Sequence, residues 1–423
     1  MGRLPFLIAG CALIIAFDYY FINAILSVFK SWSKKTRSVV ATIYWTISLA
    51  LIAGIFAGIF LNIFLSLRSV IMVAFFLITA CKIVMLPFLL IDDLRRLFIL
   101  IFRKSKPQPE LSALQPETSA VKSTGEPISR SSFIVKAGLV AAAVPLTSLT
   151  WGITSGAYDY QVRRKTLILP NLPAAFDGIT MGQISDIHSG SFYNKTAVKG
   201  GIEMLLGEKP DFIFFTGDIV NDMATEMRDY QDIFSKVKAP LGVFSSLGNH
   251  DYGDYHFGKE ASPAKAKNLR DVIKTHELMG WDLLMNEHRR LKVNGEEIGI
   301  LGIENWGMGR FPKYGRMDLA TKNTDDLPVK LLLSHDPSHW RAEVLPKYPQ
   351  IDAMFSGHTH GMQFGVRTEK YQWSPIEYIY KEWAGLYQEK QQQLYVNVGY
   401  GFLGYPGRVG ILPEITIFTL KRA

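Results

Sequence analysis

The chain has only two cysteines in 423 residues and no histidine before His188. Cys11 and Cys81 lie in apolar runs, and no thiol follows them. Disulfides are therefore excluded from the stability of the C-terminal part, and thiolates from its chemistry. That part also lacks an excess of positive charge. Residues 166–423 hold 28 Lys and Arg against 31 Asp and Glu, whereas residues 1–165 hold 18 against 7. The formal net charge of +8 belongs to the first part, so no nucleic-acid binding is implied for the second.

What the first part does have is long hydrophobic runs. Residues 4–29, 39–65 and 69–91 each exceed the roughly 20 helical residues needed to cross a bilayer core. Residues 133–156, rich in alanine and small side chains, carry Lys136 and Pro145 and form a fourth transmembrane helix or a signal-anchor. The first loop holds Lys30, Lys34, Lys35 and Arg37, against Arg68 alone in the second. By the positive-inside rule the first loop is cytoplasmic and the N-terminus is outside. The third span then returns to the cytoplasm, where Arg95, Arg96, Arg103, Lys104 and Lys106 follow.

Residues 105–132, rich in Ser, Pro, Glu and Thr, read as a flexible linker. A fourth crossing puts the rest of the chain on the extracytoplasmic side of a plasma or inner membrane, although Arg163, Arg164 and Lys165 pull the other way. The stretch Ser129-Arg130-Ser131-Ser132-Phe133-Ile134, with Lys136, is similar to a twin-arginine export signal with Ser131 at the second arginine. A plain signal-anchor places the domain on the same side. The expected organisation is three spans in 1–104, a linker in 105–132, the fourth span in 133–156 and a catalytic domain in 166–423. Within the spans, Asp18 and Lys82 face protein neighbours, snorkel near an interface, line a polar pathway or bind a lipid head group, and Gly54 with Gly58 suits close helix packing.

The C-terminal part alternates strand-length apolar runs (179–184, 212–215, 242–247, 298–303, 329–333, 351–355, 394–398 and 415–420) with helical stretches at 196–207, 227–237, 264–279 and 339–345. Near-continuous Val, Ile, Leu and Phe predicts strands buried on both faces, hence a layered α/β domain. Five polar clusters follow such runs: Asp186-Ile187-His188, Gly217-Asp218, Gly248-Asn249-His250-Asp251, Ser334-His335-Asp336 and Gly357-His358-Thr359-His360. Ligands gather at the carboxyl ends of strands in α/β sheets. Carboxylate and amide oxygens with neutral imidazoles are what two divalent cations need, so the clusters read as a two-metal hydrolase.

The five blocks in this order resemble the signature of the calcineurin-like metallophosphoesterase superfamily over residues 177–423. Asn286-Glu287, Ser334-His335-Asp336-Pro337, Pro406-Gly407-Arg408 and Pro413-Glu414-Ile415 resemble its membrane-anchored branch. The fold implied is a β-sandwich flanked by helices. The resemblance implies that Asp186, His188 and His360 hold one metal, that Asn249, His335 and His358 hold a second, and that Asp218 bridges both. The metals implied are Mn, Fe, Zn or Co. A hydroxide between them is the implied nucleophile and His250 the acid, its imidazole oriented by Asp251.

Met362 departs from the usual Gly-Gly-Gln and would reshape the pocket floor. Arg408 is a candidate phosphate clamp, while His256, His276, His288 and His339 read as structural. Tyr371, Trp373, Tyr378, Tyr380, Trp383 and Tyr387 suit a membrane interface, an acyl-chain pocket or a packed loop. The expected activity is hydrolysis of a phosphodiester or pyrophosphate, lipid-linked if the anchor and aromatics serve the substrate. A non-catalytic metal-binding scaffold, or a transporter or sensor with an accessory phosphoesterase domain, are the alternatives.

Overall fold

The computed structural model describes residues 4–61, 65–102 and 129–423. The chain divides into two compact units, Met1–Leu149 and Thr150–Ala423. Four helices carry the apolar runs: α1 (Leu4–Val28), α2 (Lys34–Phe60), α3 (Leu65–Phe102) and α4 (Arg130–Thr154). Each is long and apolar enough to cross a membrane. Helix α2 starts before its apolar run because the Ser33 hydroxyl caps it, accepting the Thr36 N–H at 3.1 Å. Most of the expected linker lies outside the described residues, and its last three residues, 130–132, already belong to α4.

Two buried carboxylates inside the first unit, Asp18 and Asp92, find partners. The fully buried Asp18 carboxylate accepts the Tyr44 hydroxyl at 2.7 Å, and also Ser48 and Lys82, joining α1, α2 and α3. The Ser131 hydroxyl donates to Asp92 at 2.9 Å and accepts from Arg95 at 2.6 Å. Gly54 lets α2 approach Ile71, which would stand 3.0 Å from an added Cβ.

The second unit is built on two six-stranded sheets and a small hairpin. In chain order its strands are β1 (Gln161–Leu169), β2 (Thr180–Ile184), β3 (Phe212–Thr216), β4 (Val243–Ser246), β5 (Asp282–Leu283), β6 (Glu287–Val293), β7 (Glu296–Gly302), β8 (Lys330–Leu333), β9 (Ala353–Ser356), β10 (Val366–Arg367), β11 (Gln372–Trp373), β12 (Gly385–Glu389), β13 (Gln392–Val396) and β14 (Glu414–Arg422). One sheet runs β1-β14-β2-β3-β4-β5, the other β12-β13-β9-β8-β7-β6. Strands β2 to β5 are mutually parallel, as are β7, β8, β9 and β13.

Alternation along β3 places the two faces. Phe212 and Phe214 enter the core between the sheets with Ile300, Leu331 and Phe355, while Ile213 and Phe215 face the helical layer outside. That layer includes the helix Lys195–Gly207, whose Val198, Ile202 and Leu205 repeat at helical spacing. The outer face of the second sheet is covered by Trp340 and Val344. The result is a β-sandwich flanked by helices, as expected.

Two expected helices are altered. Residues 227–237 break into the short turns Ala224–Asp229 and Gln231–Phe234, and 339–345 becomes a wide turn, Trp340–Val344. The edge strands β1, β6 and β12 escaped the apolar-run criterion because they are only partly buried.

Candidate metal centre

Strands β2, β3, β4, β8 and β9 all deliver a polar residue within three positions of their carboxyl ends: Asp186, Asp218, Asn249, His335 and His358. Asp186, His188 and His360 each bring one donor atom within 4.8 Å of the others, and so do Asp218, His335 and His358. Asp218 faces both groups, its Oδ2 lying 3.0 Å from His335 Nε2 and 3.5 Å from His188 Nε2. His360 Nε2 stands 3.2 Å from Asp186 Oδ1, and His358 Nδ1 stands 2.9 Å from Asn249 Oδ1.

This convergence strains the backbone. Asp186, His188, Asp218, His358 and His360 all adopt positive φ, between 49° and 72°. Each such residue costs about 1–2 kcal/mol relative to a right-handed conformation, and strain of this kind collects at functional sites. It turns five side chains back toward one point.

The donor atoms fit divalent cations. Both ring nitrogens of His188, His335 Nε2 and His360 Nε2 are buried without a hydrogen-bond partner, an arrangement that costs about 1–3 kcal/mol per group unless a cation completes it. The His335 tautomer is set by Nδ1–H donating to the Thr216 carbonyl at 2.7 Å, which leaves Nε2 for a ligand. Burial holds His188 well below the usual histidine range, so its imidazole is neutral. Burial opposes charge on His335 too, but the adjacent Asp218 carboxylate outweighs it and raises this group to about 10. For Asp186 burial is likewise overcome, by His360 and His335, and the carboxyl is lowered to about 2.

His250 sits beside these groups. Its backbone N–H donates to Asp218 Oδ1 at 2.9 Å, and its ring lies edge-on to His188 with centroids 4.9 Å apart. Asp251 does not orient this imidazole, contrary to expectation. His250 Nδ1 instead donates to the Asn221 carbonyl at 2.6 Å, and Glu226 holds that loop by accepting the Asn221 N–H at 2.6 Å. Asp251 accepts backbone N–H groups from Asp218, Ile219 and Gly248.

Arg408 is no phosphate clamp. It is fully buried and spends its guanidinium on the carbonyls of Val398, Gly399, Gly401 and Ile411, with His360 Nδ1 at 3.2 Å. Burial lowers it to about 10. Met362 is half-exposed on the rim rather than in a pocket floor.

His276 is buried and bonds Ser245 at 3.0 Å, and His339 is buried and bonds Ser334 at 3.0 Å. His288 lies on β6, and His256 is exposed. Two neighbours of the centre carried no motif. Tyr380 places its hydroxyl 2.8 Å from His358 Nε2. Tyr255 stacks on His250 at 4.5 Å and accepts from Asn249 Nδ2 at 3.0 Å. Of the aromatic run, Trp383 is buried, whereas Tyr371 and Tyr378 are exposed.

Residues 179–362 match the family model described as calcineurin-like phosphoesterase, and residues 3–157 match one described as its probable transmembrane domain. An uncharacterized metallophosphoesterase of Bacillus subtilis, YkuE, is 31% identical over 256 residues, covering 59% of this chain and 82% of that protein. The chain belongs to the calcineurin-like phosphoesterase family. It is a membrane protein and a metal-dependent phosphoesterase. The transmembrane protein with metallophosphoesterase domain of Danio rerio is 25% identical, over 74% of this chain and 69% of its own length. The UDP-2,3-diacylglucosamine pyrophosphatase LpxG of Chlamydia trachomatis is 27% identical, over 63% of this chain and 93% of its own length. This phosphoesterase thus has similarity to known proteins along both its membrane part and its catalytic part.

Proposed function

We propose that this phosphoesterase is a membrane-anchored phosphohydrolase using two divalent cations, cleaving a phosphodiester or pyrophosphate of a lipid-linked envelope molecule. The observation that carries this is the single carboxylate of Asp218 facing both groups of histidines, with ring nitrogens of His188, His335 and His360 buried without a hydrogen-bond partner. Asp186, His188 and His360 would hold one cation, and Asn249, His335 and His358 the other, with Asp218 shared. Bound there, the cations supply Lewis acidity toward phosphoryl oxygens and a water of lowered pKa.

His250 acts as the acid. Its Nδ1–H is committed to the Asn221 carbonyl, so Nε2 is the nitrogen left to carry a proton to the leaving oxygen. Tyr255 fixes the plane of that ring by stacking. The name of the LpxG relative supports a pyrophosphate carrying acyl chains as substrate class. The charge pattern around the spans supports an extracytoplasmic catalytic unit. The complete donor set speaks against a scaffold that has lost its cations, and the mutual bonding of Asp18, Lys82, Tyr44 and Ser48 against an open polar pathway.

The test is turnover by the full chain in detergent on bis-p-nitrophenyl phosphate and on a nucleotide-linked glycolipid pyrophosphate, with Mn, Fe, Zn and Co supplied separately. Cleavage that needs an added cation and disappears in Asp218→Asn supports the proposal. Equal cleavage by Asp218→Asn, or in excess chelator, overturns it.

A further inference from the structure

The catalytic unit concentrates its exposed apolar side chains beside the centre. Six of its sixteen exposed large hydrophobic residues lie within residues 362–379: Met362, Phe364, Val366, Tyr371, Tyr378 and Ile379. Tyr378 is 77% exposed and Ile379 69%, two positions and one position before Tyr380, whose hydroxyl meets His358. Met362 follows His360 by two and holds φ at +52°, a conformation that costs an L-residue about 1–2 kcal/mol and that glycine adopts freely. The charged residues Glu369, Lys370 and Lys381 are exposed nearby.

Hydrogen bonds connect this patch to the end of α4, a helix long and apolar enough to cross a membrane. The last turn of α4 belongs to the catalytic unit, where the Gly152 carbonyl accepts the Arg408 N–H at 3.1 Å. An added Cβ on Gly152 would strike Val409 at 2.7 Å, so glycine is what permits this approach. Val409 in turn donates to the Gln363 carbonyl at 2.8 Å and accepts the Gly365 N–H at 2.9 Å. Gln363 Nε2 closes the connection on the carbonyls of Tyr405, at 2.8 Å, and Gly407, at 3.0 Å. The segment bearing Met362, Phe364 and Val366 is thus two hydrogen-bonded steps from the helix end. A hydrogen-bonded step between extended segments spans roughly 5 Å, comparable to the depth of the headgroup layer.

We infer that residues 362–379 form a docking face that enters the lipid headgroup and acyl boundary of the membrane in which the protein is anchored. The occupant is the bilayer surface. Tyr371 and Tyr378 suit it because an amphipathic ring satisfies its apolar body in the acyl boundary and its hydroxyl among headgroups. With the proposed function, this face sets the centre beside the phosphates of membrane-embedded substrates, and that consequence rests on the proposal above. The docking itself does not.

The direct test is depth. The full chain, with Cys11→Ser and Cys81→Ser, is labelled with a nitroxide at Tyr378→Cys or Ile379→Cys, and for comparison at Leu278→Cys or Leu319→Cys, then reconstituted in anionic-lipid nanodiscs. Collision with oxygen several-fold more favoured over a water-soluble nickel chelate at 378 and 379 than at 278 and 319 supports the docking face. Equal ratios at all four positions overturn it. So does a label at 378 and 379 shielded from both reagents, which places a protein there instead.

Activity gives a second reading that does not depend on the cysteine-free background. The Tyr378→Glu and Ile379→Glu double variant should cleave a nanodisc-embedded lipid pyrophosphate several-fold more slowly, with unchanged turnover of bis-p-nitrophenyl phosphate. Equal loss on both substrates overturns the docking role. An inactive wild type with lipid-like depth at 378 and 379 rejects the proposed function and leaves the docking face standing.

Discussion

The Asp251 carboxylate accepts the backbone N–H of Asp218 at 2.9 Å and that of Gly248 at 2.8 Å, tying the loop after β3 to the loop after β4. Ile219 donates to the same carboxylate at 2.9 Å. Asp251 thereby sets the spacing between Asp218 and Asn249 without touching either side chain. Asp251→Ala strands these N–H groups inside the protein, at about 1–3 kcal/mol each. The expected outcome is a lower thermal midpoint and reduced metal content together. Normal metal content by elemental mass spectrometry would show that the loops keep their spacing without it.

His250→Ala should retain its metals and lose about 10²–10⁴-fold in turnover, the range for a general acid. The ring lies edge-on to His188 beside the centre, while its backbone bond to Asp218 survives the substitution. Kinetics and metal analysis of the same preparation check this, and a normal rate would remove His250 from the reaction.

The Asp18 network predicts a structural outcome. Asp18→Ala leaves Lys82 without its carboxylate, and breaking a buried pair costs about 3–5 kcal/mol. A double variant, Asp18→Ala with Lys82→Met, should recover most of the lost thermal stability in detergent. If the double variant is stable yet silences a cellular activity that catalytic-site variants leave intact, the pair serves transport or sensing.

His276 gives the catalytic unit an acid sensitivity. Burial lowers its folded pKa to about 3, against about 6.5 for an unfolded histidine. The unfolded state therefore binds a proton that the folded state refuses, and stability falls as pH drops from about 6.5 toward 3. A thermal midpoint measured across that range should decline less steeply in His276→Gln, even if this variant starts lower at pH 7 from losing the Ser245 bond. An unchanged slope would mean other groups govern the acid limb.

The parts of the fold legible in sequence were those fixed by local pattern. Strands such as β3 and β8 are buried on both faces and announce themselves as unbroken apolar runs. The five polar clusters were readable because each follows such a run. The function of Asp251 was not, because its partners are backbone N–H groups brought together by the fold. The same holds for the Asn221 carbonyl, which orients His250 but carries no side-chain signature. Arg408 looked like a phosphate ligand after Tyr405-Pro406-Gly407, yet a loop of inward-facing carbonyls consumes its donors. The aromatic run split for a similar reason. Burial decided that Trp383 packs inside and Tyr378 does not, and sequence spacing cannot assign that.

The central claim is that Asp218 joins two cations in one catalytic centre. The most direct measurement is elemental analysis of the purified full chain alongside turnover of bis-p-nitrophenyl phosphate, in wild type and in Asp218→Asn. The account predicts two divalent ions per active chain, with metal content and turnover falling together in the variant. Full turnover from a chain that holds no divalent metal would contradict it.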